Sequence, residues 1–170
     1  MTERRMTVGA LAAAGCLLLA MSSGARAPTK LLFNTTVSAP IGFYSVSQTT
    51  PMVGDLVVID PPGSLAAWMA RRGYLPLHVP LLKVVAAAGG AHVCGAAGII
   101  MIDHAVVGRA LDRDRWGRRL SPFKGCRTLQ TDEVFLFNAG SVASLDSRYF
   151  GPLDRRQIVG VAHPLWTWER

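Results

Sequence analysis

One serine and one lysine carry the chemistry that this sequence could perform. Ser38 lies in a segment that Pro40 and Gly42 stiffen and bend, and Lys83 lies within the aliphatic run Leu-Leu-Lys-Val-Val at 81–85. A serine hydroxyl is a poor nucleophile until a base removes its proton, and a lysine can be that base only when its surroundings keep it neutral. We therefore interpret Ser38 and Lys83 as a serine/lysine dyad.

The surroundings expected for Lys83 favour a neutral amine. A free lysine has a pKa near 10.4, and lowering it to about 7–8 requires roughly 3–4 kcal/mol of desolvation or repulsion. If 80–88 is a buried strand, Leu81 and Val85 share the face of Lys83 and would shield it from water. The alternative is a lysine on an edge strand that points at solvent, with Ser38 in an ordinary turn.

A third segment, 144–152, carries polar side chains that could serve this pair. Asp146 and Arg148 are two residues apart, so they lie on one side of an extended segment and could form an ion pair. Such a pair is usually structural. Ser144 could instead hydrogen-bond the lysine amine and orient its lone pair.

The N-terminal segment, 1–28, is expected to be a membrane anchor or a cleaved secretory signal. Met6–Ala25 contains no charged residue, and twenty helical residues span about 30 Å, the thickness of a bilayer core. Arg4 and Arg5 precede it and favour an N-terminus left in the cytoplasm. Ala-Arg-Ala at 25–27 resembles a signal cleavage site. Both alternatives place the rest of the chain, one globular domain, outside the membrane.

The formal net charge of +7 predicts a polyanionic partner, either anionic lipid or nucleic acid. The sequence has no zinc-finger spacing, glycine-rich phosphate loop or run of interleaved basic and aromatic residues, so nucleic acid is not expected. Inner-membrane lipid is the simpler partner for a domain beside a bilayer. Much of the basic excess lies in Arg109–Lys124, for which a solvated loop is the alternative interpretation.

The cysteines suggest a disulfide, and the histidines do not suggest a metal site. In an oxidising compartment Cys94 and Cys126 could pair, with two unpaired buried thiols as the alternative. The four histidines are scattered, with no i,i+4 pair and no Cys-x-x-Cys motif. We therefore expect neither a metal nor a cofactor.

Turn residues divide the chain after the N-terminal segment into many short apolar stretches. Ser64 can cap one short helix, Leu65–Arg72, and Gly73 can end it. Many short strands and one helix indicate a mostly β domain, either a barrel or packed antiparallel sheets, preceded by the N-terminal hydrophobic helix. Strands are predicted after the turn in Val53–Asp60 and over 80–88, 91–94, 98–102, 105–109, 133–138 and 157–163.

Three motifs occur in a characteristic order along the chain. They are Ser38 with the tail Ala-Pro-Ile-Gly-Phe-Tyr, Lys83 in Leu-Leu-Lys-Val-Val, and Asp-Ser-Arg-Tyr-Phe-Gly at 146–151. Together they resemble the type I signal peptidase family (peptidase S26). Arg-Gly-Tyr-Leu-Pro at 72–76 and Pro-Leu-Trp-Thr at 164–167 look most like its conjugative-transfer branch, the TraF-type pilin maturation peptidases. The resemblance covers roughly 35–167 and implies a signal-peptidase-like fold.

The resemblance implies catalytic roles for four of these residues. Ser38 would be the acylating nucleophile and Lys83 its general base, with Ser144 orienting the lysine. Thr36, two residues before the serine, would help the backbone N–H of Ser38 to hold the oxyanion. A donor of this kind contributes roughly 3–4 kcal/mol where it has been measured.

The resemblance also implies a role for Asp146 and a domain organisation. Asp146 would be either a third catalytic member or the partner that fixes Arg148. The short region between the lysine and this aspartate implies that the accessory insertion, about 90–132, is small. It would lie within a catalytic β domain that covers 29–170.

The function implied is that of a membrane-associated serine endopeptidase that processes a pilin-like precursor in plasmid conjugative transfer. It would work at the periplasmic face of the inner membrane, or in the periplasm after leader removal. Water or the precursor's own amine could resolve the acyl-enzyme, and the amine would cyclise the product. Ala39, and Asn-Ala-Gly-Ser-Val at 138–142, depart from the cellular enzymes and favour a dedicated substrate. The alternatives are a general type I signal peptidase and a non-catalytic docking component of a conjugation or secretion channel.

Overall fold

The computed structural model describes residues 30–168. Antiparallel strands are the main regular structure of this range, which also contains one nine-residue helix and a single-turn helix, so the mostly β prediction is confirmed. The predicted N-terminal hydrophobic helix falls at 1–28, outside the described residues. Within 30–168, none of the helices has both the length and the apolar character needed to cross a bilayer.

The regular elements follow one another along the chain in mostly short segments. The strands are β1 (Leu31–Asn34), β2 (Ile41–Ser47), β3 (Leu56–Ile59), β4 (Leu81–Ala88), β5 (His92–Ala96), β6 (Ile99–Ile102), β7 (Ala105–Arg109), β8 (Gly125–Thr128), β9 (Glu133–Leu136), β10 (Leu153–Asp154) and β11 (Ile158–Trp168). The helices are α1 (Gly63–Arg71), α2 (Ser147–Phe150) and a 3₁₀ turn, Arg155–Gln157.

The larger sheet places Lys83 on an interior strand. Its order is β1-β2-β11-β3-β4-β9-β10, and all of its neighbouring strands are antiparallel. Lys83 lies on β4, opposite Val57 of β3. The register between β4 and β9 shifts between Val85 and Ala87. Because β4 is paired on both edges, Lys83 does not lie on the edge strand that was the alternative interpretation.

The smaller sheet, in the order β7-β6-β5-β8, occupies 92–128. This range lies within the stretch predicted as an accessory insertion. Cys94 and Cys126 are directly opposite each other on β5 and β8, and a disulfide joins them. The disulfide prediction is therefore confirmed by the structure, and the alternative of two unpaired thiols is wrong.

Apolar side chains fill the space under helix α1 and the space between the two sheets. Met69 of α1 packs with residues of β3, β4 and β9, including Val57, Val85 and Leu136. A second cluster joins Phe135 to residues of the smaller sheet. Burying one large aliphatic or aromatic side chain contributes about 1.5–3 kcal/mol, so these clusters fix the strands that carry the polar residues described below.

Helix α1 begins earlier than the sequence predicts. It starts at Gly63, after Pro62 in the N-cap position, and no side chain caps it. The predicted cap at Ser64 is therefore wrong, because Ser64 lies inside the first turn. At the other end Gly73 has a φ of 66° and donates its backbone N–H to the carbonyl of Ala70, which agrees with the predicted stop.

Candidate active site

The Ser38 loop, residues 35–40, is held by the side chain that precedes it. Asn34 ends β1 with its side chain on the buried face. Its Nδ2 donates to the carbonyls of Thr36, Ala39 and Pro40 at 2.9, 3.1 and 2.9 Å. Its Oδ1 accepts from the backbone N–H and the hydroxyl of Thr36 at 3.0 and 2.8 Å. One carboxamide thus replaces the main-chain bonds that this turn lacks.

Two residues of β2 complete the support of the loop. The buried hydroxyl of Tyr44 donates to the carbonyl of Pro40 at 2.6 Å. Gly42 has a φ of 148°, and a Cβ at this position would lie 2.1 Å from the carbonyl oxygen of Trp166 on β11. The glycine of the Pro-x-Gly motif is therefore required by close strand packing and by its backbone conformation.

Lys83 reaches the Ser38 loop from the interior of the larger sheet. Its side chain is 3% exposed. Its Nζ lies 3.3 Å from Ser38 Oγ and 2.9 Å from Ser144 Oγ. Leu81 and Val85 on the same strand are both buried, as the alternation predicted. The structure therefore brings together the serine, the lysine and the second serine that the sequence singled out.

Burial sets the ionisation of Lys83. Desolvation lowers the pKa of Lys83 to about 8, while the nearby charge of Asp146 raises it and that of Arg148 lowers it. Removing water destabilises the ammonium form, and a carboxylate stabilises it. A tenth or so of the side chains would then be neutral at pH 7, which is enough for a general base.

The hydroxyl of Thr36 has its proton directed away from Ser38. Since Asn34 Oδ1 can only accept, the hydroxyl of Thr36 must donate to it. While Lys83 is protonated and donates to Ser38 Oγ, the hydroxyl of Ser38 can donate to Thr36 Oγ1, which lies 3.2 Å away; with Lys83 neutral, the same proton is free to turn to the amine. The oxyanion role expected for Thr36 requires this hydroxyl to turn away from Asn34, and it stays a prediction.

Asp146 and Arg148 form a buried ion pair. Arg148 Nε donates to Asp146 Oδ1 and Nη2 donates to Oδ2, both at 2.8 Å. The two side chains are 0% and 2% exposed. Arg148 also donates to the carbonyls of Arg109 and Ser141. Among residues 30–168, Asp146 makes no ion pair with Lys83. These contacts are those expected if Asp146 is the partner that fixes Arg148.

Asn138 belongs to the site and was missed as a site residue in the sequence. Its Nδ2 donates to the carbonyl of Ser38 at 2.6 Å and to that of Leu82 at 3.3 Å. Its Oδ1 accepts from the backbone N–H of Val84 at 2.8 Å. Asn138 is 4% exposed. The only local signal was an asparagine at the end of an apolar run, and Asn34 has the same signal at the end of β1.

A cleft of about 270 Å³ opens in front of Ser38 and Lys83. Its walls are mostly apolar, and its polar lining includes Ser38, Lys83 and Ser144 as well as Asp114 and Arg115. Such a site suits an extended apolar peptide whose carbonyl meets the serine. The apolar lining includes Val37, Met69, Leu75, Leu81, Leu111 and Leu145.

The basic segment 111–120 forms one wall of this cleft. Asp114 accepts from the hydroxyl of Tyr74, from Arg118 Nε at 2.7 Å, and from the backbone N–H groups of Trp116 and Arg118. The guanidinium of Arg118 lies over the rings of Tyr74 and Trp116. This segment is therefore ordered by its own contacts and is not only a solvated loop.

One group of side chains in 30–168 has the spacing of metal ligands: His92, Cys94 and Cys126. The thiolate is the form of cysteine that binds a metal, and both sulfurs here belong to the disulfide. This group therefore does not offer a metal site in the oxidised protein.

The comparisons with known proteins agree with the family that the sequence motifs resemble. The family model described as "Signal peptidase, peptidase S26" matches residues 5–168. A probable conjugal transfer protein TraF of Sinorhizobium fredii is 37% identical over 93% of this chain and 85% of its own length. A conjugal transfer protein TraF of Agrobacterium fabrum is 33% identical over 98% and 96%.

A solved structure and a further relative complete the comparison. A plasmid transfer protein TraF of Escherichia coli is 29% identical over 97% of both chains. A signal peptidase I from Enterococcus faecalis V583, with 16% identity and a TM-score of 0.41, covers 68% of this chain and 98% of its own. The family model and the sequence relatives carry the assignment: the chain belongs to the signal peptidase family, peptidase S26.

Proposed function

We propose that this protein is a serine endopeptidase in which Ser38 is the nucleophile and Lys83 the general base. The observation that carries this proposal is the 3.3 Å distance between Lys83 Nζ and Ser38 Oγ, in a lysine that is 3% exposed. A surface lysine would be protonated at neutral pH and useless as a base. A buried one with a lowered pKa can take the serine proton.

The reaction follows from the contacts of these two residues. As Ser38 Oγ attacks the scissile carbonyl carbon, its proton passes to neutral Lys83. The tetrahedral intermediate collapses, the C–N bond breaks, and the ammonium of Lys83 returns the proton to the leaving amine. Ser144 accepts one N–H of the amine and so keeps its lone pair on the side of Ser38. A second nucleophile then attacks the ester with Lys83 again as the base.

We propose a pilin-like precursor of plasmid conjugative transfer as the substrate. The support comes from the relatives, which are named conjugal or plasmid transfer proteins and match this chain over nearly its whole length. Ala39 and 138–142 differ from the cellular signal peptidases, which favours a dedicated substrate over general leader removal. Water would release a linear product, and the precursor's own amine would release a cyclic one.

The protein would act at the periplasmic face of the inner membrane, and an aromatic patch supports contact with lipid. The aromatic patch consists of Phe33, Phe43, Trp166 and Trp168, which are 47, 39, 72 and 43% exposed. Phe33 pairs with Phe43 across β1 and β2, and Phe43 pairs with Trp166 across β2 and β11. A contiguous exposed patch of this kind marks an interaction site, and aromatic rings favour the membrane interface.

The test is the mass of a plasmid-encoded pilin precursor incubated with the full-length protein in detergent. Loss of a segment would report hydrolysis, and additional loss of one water mass would report cyclisation. We expect Ser38→Ala and Lys83→Ala to lose activity by at least about 10³-fold, since each removes a partner in a proton-coupled attack. Ser64→Ala and Lys124→Ala, exposed residues outside the cleft, should match the wild type.

Three outcomes would reject the proposal. Folded Ser38→Ala or Lys83→Ala protein that processes the precursor at the wild-type rate would exclude the dyad, and no processing by the wild-type protein would favour a non-catalytic docking role. Equal cleavage of unrelated secretory precursors would instead favour a general signal peptidase.

A further inference from the structure

Asn138 joins the Ser38 loop to the strand that carries Lys83. Because its Oδ1 accepts from the backbone N–H of Val84, its Nδ2 must be the atom that faces the carbonyls of Ser38 and Leu82. Leu82 and Val84 are the two neighbours of Lys83 in the chain. One planar group therefore contacts the backbone on both sides of the base and the backbone of the nucleophile.

This link differs from the other supports of the loop. Asn34 and Tyr44 belong to the β1–β2 hairpin, and they shape the loop without relating it to β4. Among residues 30–168, the side-chain hydrogen bonds that reach the loop from outside this hairpin come from Lys83 and Asn138. The hydrogen bond between Lys83 and Ser38 changes at each proton transfer. The hydrogen bond from Asn138 can persist throughout, because it goes to the main-chain carbonyl of Ser38.

The backbone of Asn138 is itself fixed by the buried ion pair. Its N–H donates to Asp146 Oδ2 at 3.2 Å, and Arg148 holds the same carboxylate with two hydrogen bonds. A buried, fully bonded network of this kind is rigid. Rigidity at Asn138 is therefore transmitted to the carbonyl of Ser38 through a single 2.6 Å hydrogen bond.

We propose that Asn138 is a positioning residue that sets the distance between Ser38 Oγ and Lys83 Nζ. The proposal rests on the Ser38–Lys83 dyad proposed above and extends it. Asn138 touches main-chain atoms and not the reacting atoms, so its effect is on the rate of acylation. A misplacement of about 1 Å at a reacting group costs on the order of 10²-fold in rate.

The experiment compares two substitutions of Asn138 in the full-length protein. The probe is an activated ester of a short apolar peptide, and acylation of Ser38 is followed in single turnovers by intact mass from pH 6 to 10. Asn138→Ala removes both donors. Asn138→Asp keeps the shape of the side chain, and it turns an acceptor and a negative charge toward the carbonyl of Ser38. Gln48→Ala, which removes an exposed carboxamide bonded to Val159, is the matched control.

We expect Asn138→Ala to acylate about 10- to 100-fold more slowly at saturating ester. Its apparent binding constant should stay within about threefold of the wild type, and the midpoint of its pH profile should not move, because Lys83 remains buried. Asn138→Asp should be slowed as well, and its midpoint should rise because a new carboxylate stabilises the ammonium of Lys83. Gln48→Ala should behave as the wild type.

Acylation of folded Asn138→Ala or Asn138→Asp within about threefold of the wild type would overturn the inference. So would a slower rate accounted for entirely by a smaller folded fraction, measured by circular dichroism at the assay temperature. Asn138→Asp keeps the volume of the side chain, so it provides the test if Asn138→Ala does not fold. A wild-type protein that is not acylated at Ser38 would instead reject the proposed function.

Discussion

The fold disfavours the charged form of Lys83 and places its amine next to Ser38, as the proposed chemistry requires. Its Nζ has two hydroxyl partners and lies beneath the Ser38 loop, so its ammonium form has few water contacts. Asp146 is close enough to raise the pKa but is fully engaged by Arg148, which lowers it. The charges of Asp146 and Arg148 have opposite effects on the pKa of Lys83, and desolvation is the largest cause of its lowering.

The acylation rate should rise with pH and level off above about pH 8. Desolvation lowers the pKa of Lys83 to about 8, and only the neutral amine can accept the serine proton. The rate should therefore increase about tenfold per pH unit well below this value and become constant above it. Acylation of Ser38 measured from pH 6 to 10 checks this expectation. A midpoint near the free-lysine value of about 10.4 would show that the amine is solvated.

The sequence predicted the residues whose side-chain chemistry is recognisable within a motif, and it missed those that act through main-chain carbonyls. Ser38, Lys83 and Ser144 stand out by residue type within a motif, and their meeting in space follows from the strand pairing. Asn34 and Asn138 work through main-chain carbonyls, and the bond from Asn138 to Ser38 spans 100 residues. No local pattern encodes a bond of that kind, because any residue at position 38 would offer the same carbonyl.

At the level of elements, the strands with clear alternation and flanking turns were predicted well. Strand β4 was expected over 80–88 and runs from Leu81 to Ala88. No strand was predicted over Ile41–Ser47, because Pro40 before it and Gly42 within it indicated a loop. Strand β11 was expected to end at His163, yet it continues to Trp168. A register shift between Pro164 and Trp166 allows it to pass a residue that cannot donate a hydrogen bond.

The disulfide should stabilise the smaller sheet more than it affects catalysis. Cys94 and Cys126 are 32 residues apart, and closing a loop of that length contributes roughly 3–4 kcal/mol in the chain-entropy model. Replacing both with alanine should lower the free energy of unfolding by about this amount in urea titrations. The acylation rate should change by less than about threefold, because the dyad lies in the larger sheet.

The control for this prediction is the reduced wild-type protein, which should show the same loss of stability. Cys16 is changed to serine in every version so that the remaining thiols can be counted. Two free thiols in the unreduced, denatured protein would contradict the disulfide. An unchanged free energy of unfolding would contradict its stabilising role.

Across the whole molecule, the aromatic patch lies on β1, β2 and β11 of the larger sheet, and the Ser38 loop connects the first two of these strands. Phe33 and Asn34 are adjacent on β1, so their side chains point to opposite faces of the sheet. The ring of Phe33 is exposed, and the carboxamide of Asn34 is buried where it shapes the loop. β1 also directly follows the N-terminal hydrophobic segment. A domain that rests on lipid through this patch would hold its loop near the bilayer surface, where a membrane-bound precursor would be cut.

The four tryptophans provide a direct test of this orientation. Trp166 and Trp168 belong to the aromatic patch. Trp68, on helix α1, packs against the apolar cluster beneath this helix, and Trp116 lies in the cleft wall. In anionic vesicles that contain brominated lipid, fluorescence of the patch tryptophans should be quenched by contact with the acyl chains. The Trp166→Phe/Trp168→Phe protein should lose most of this quenching, while Trp68→Phe and Trp116→Phe should keep it. Equal quenching in all variants would mean that lipid does not meet the aromatic patch. The N-terminal segment cannot supply the quenched signal, because 1–28 contains no tryptophan.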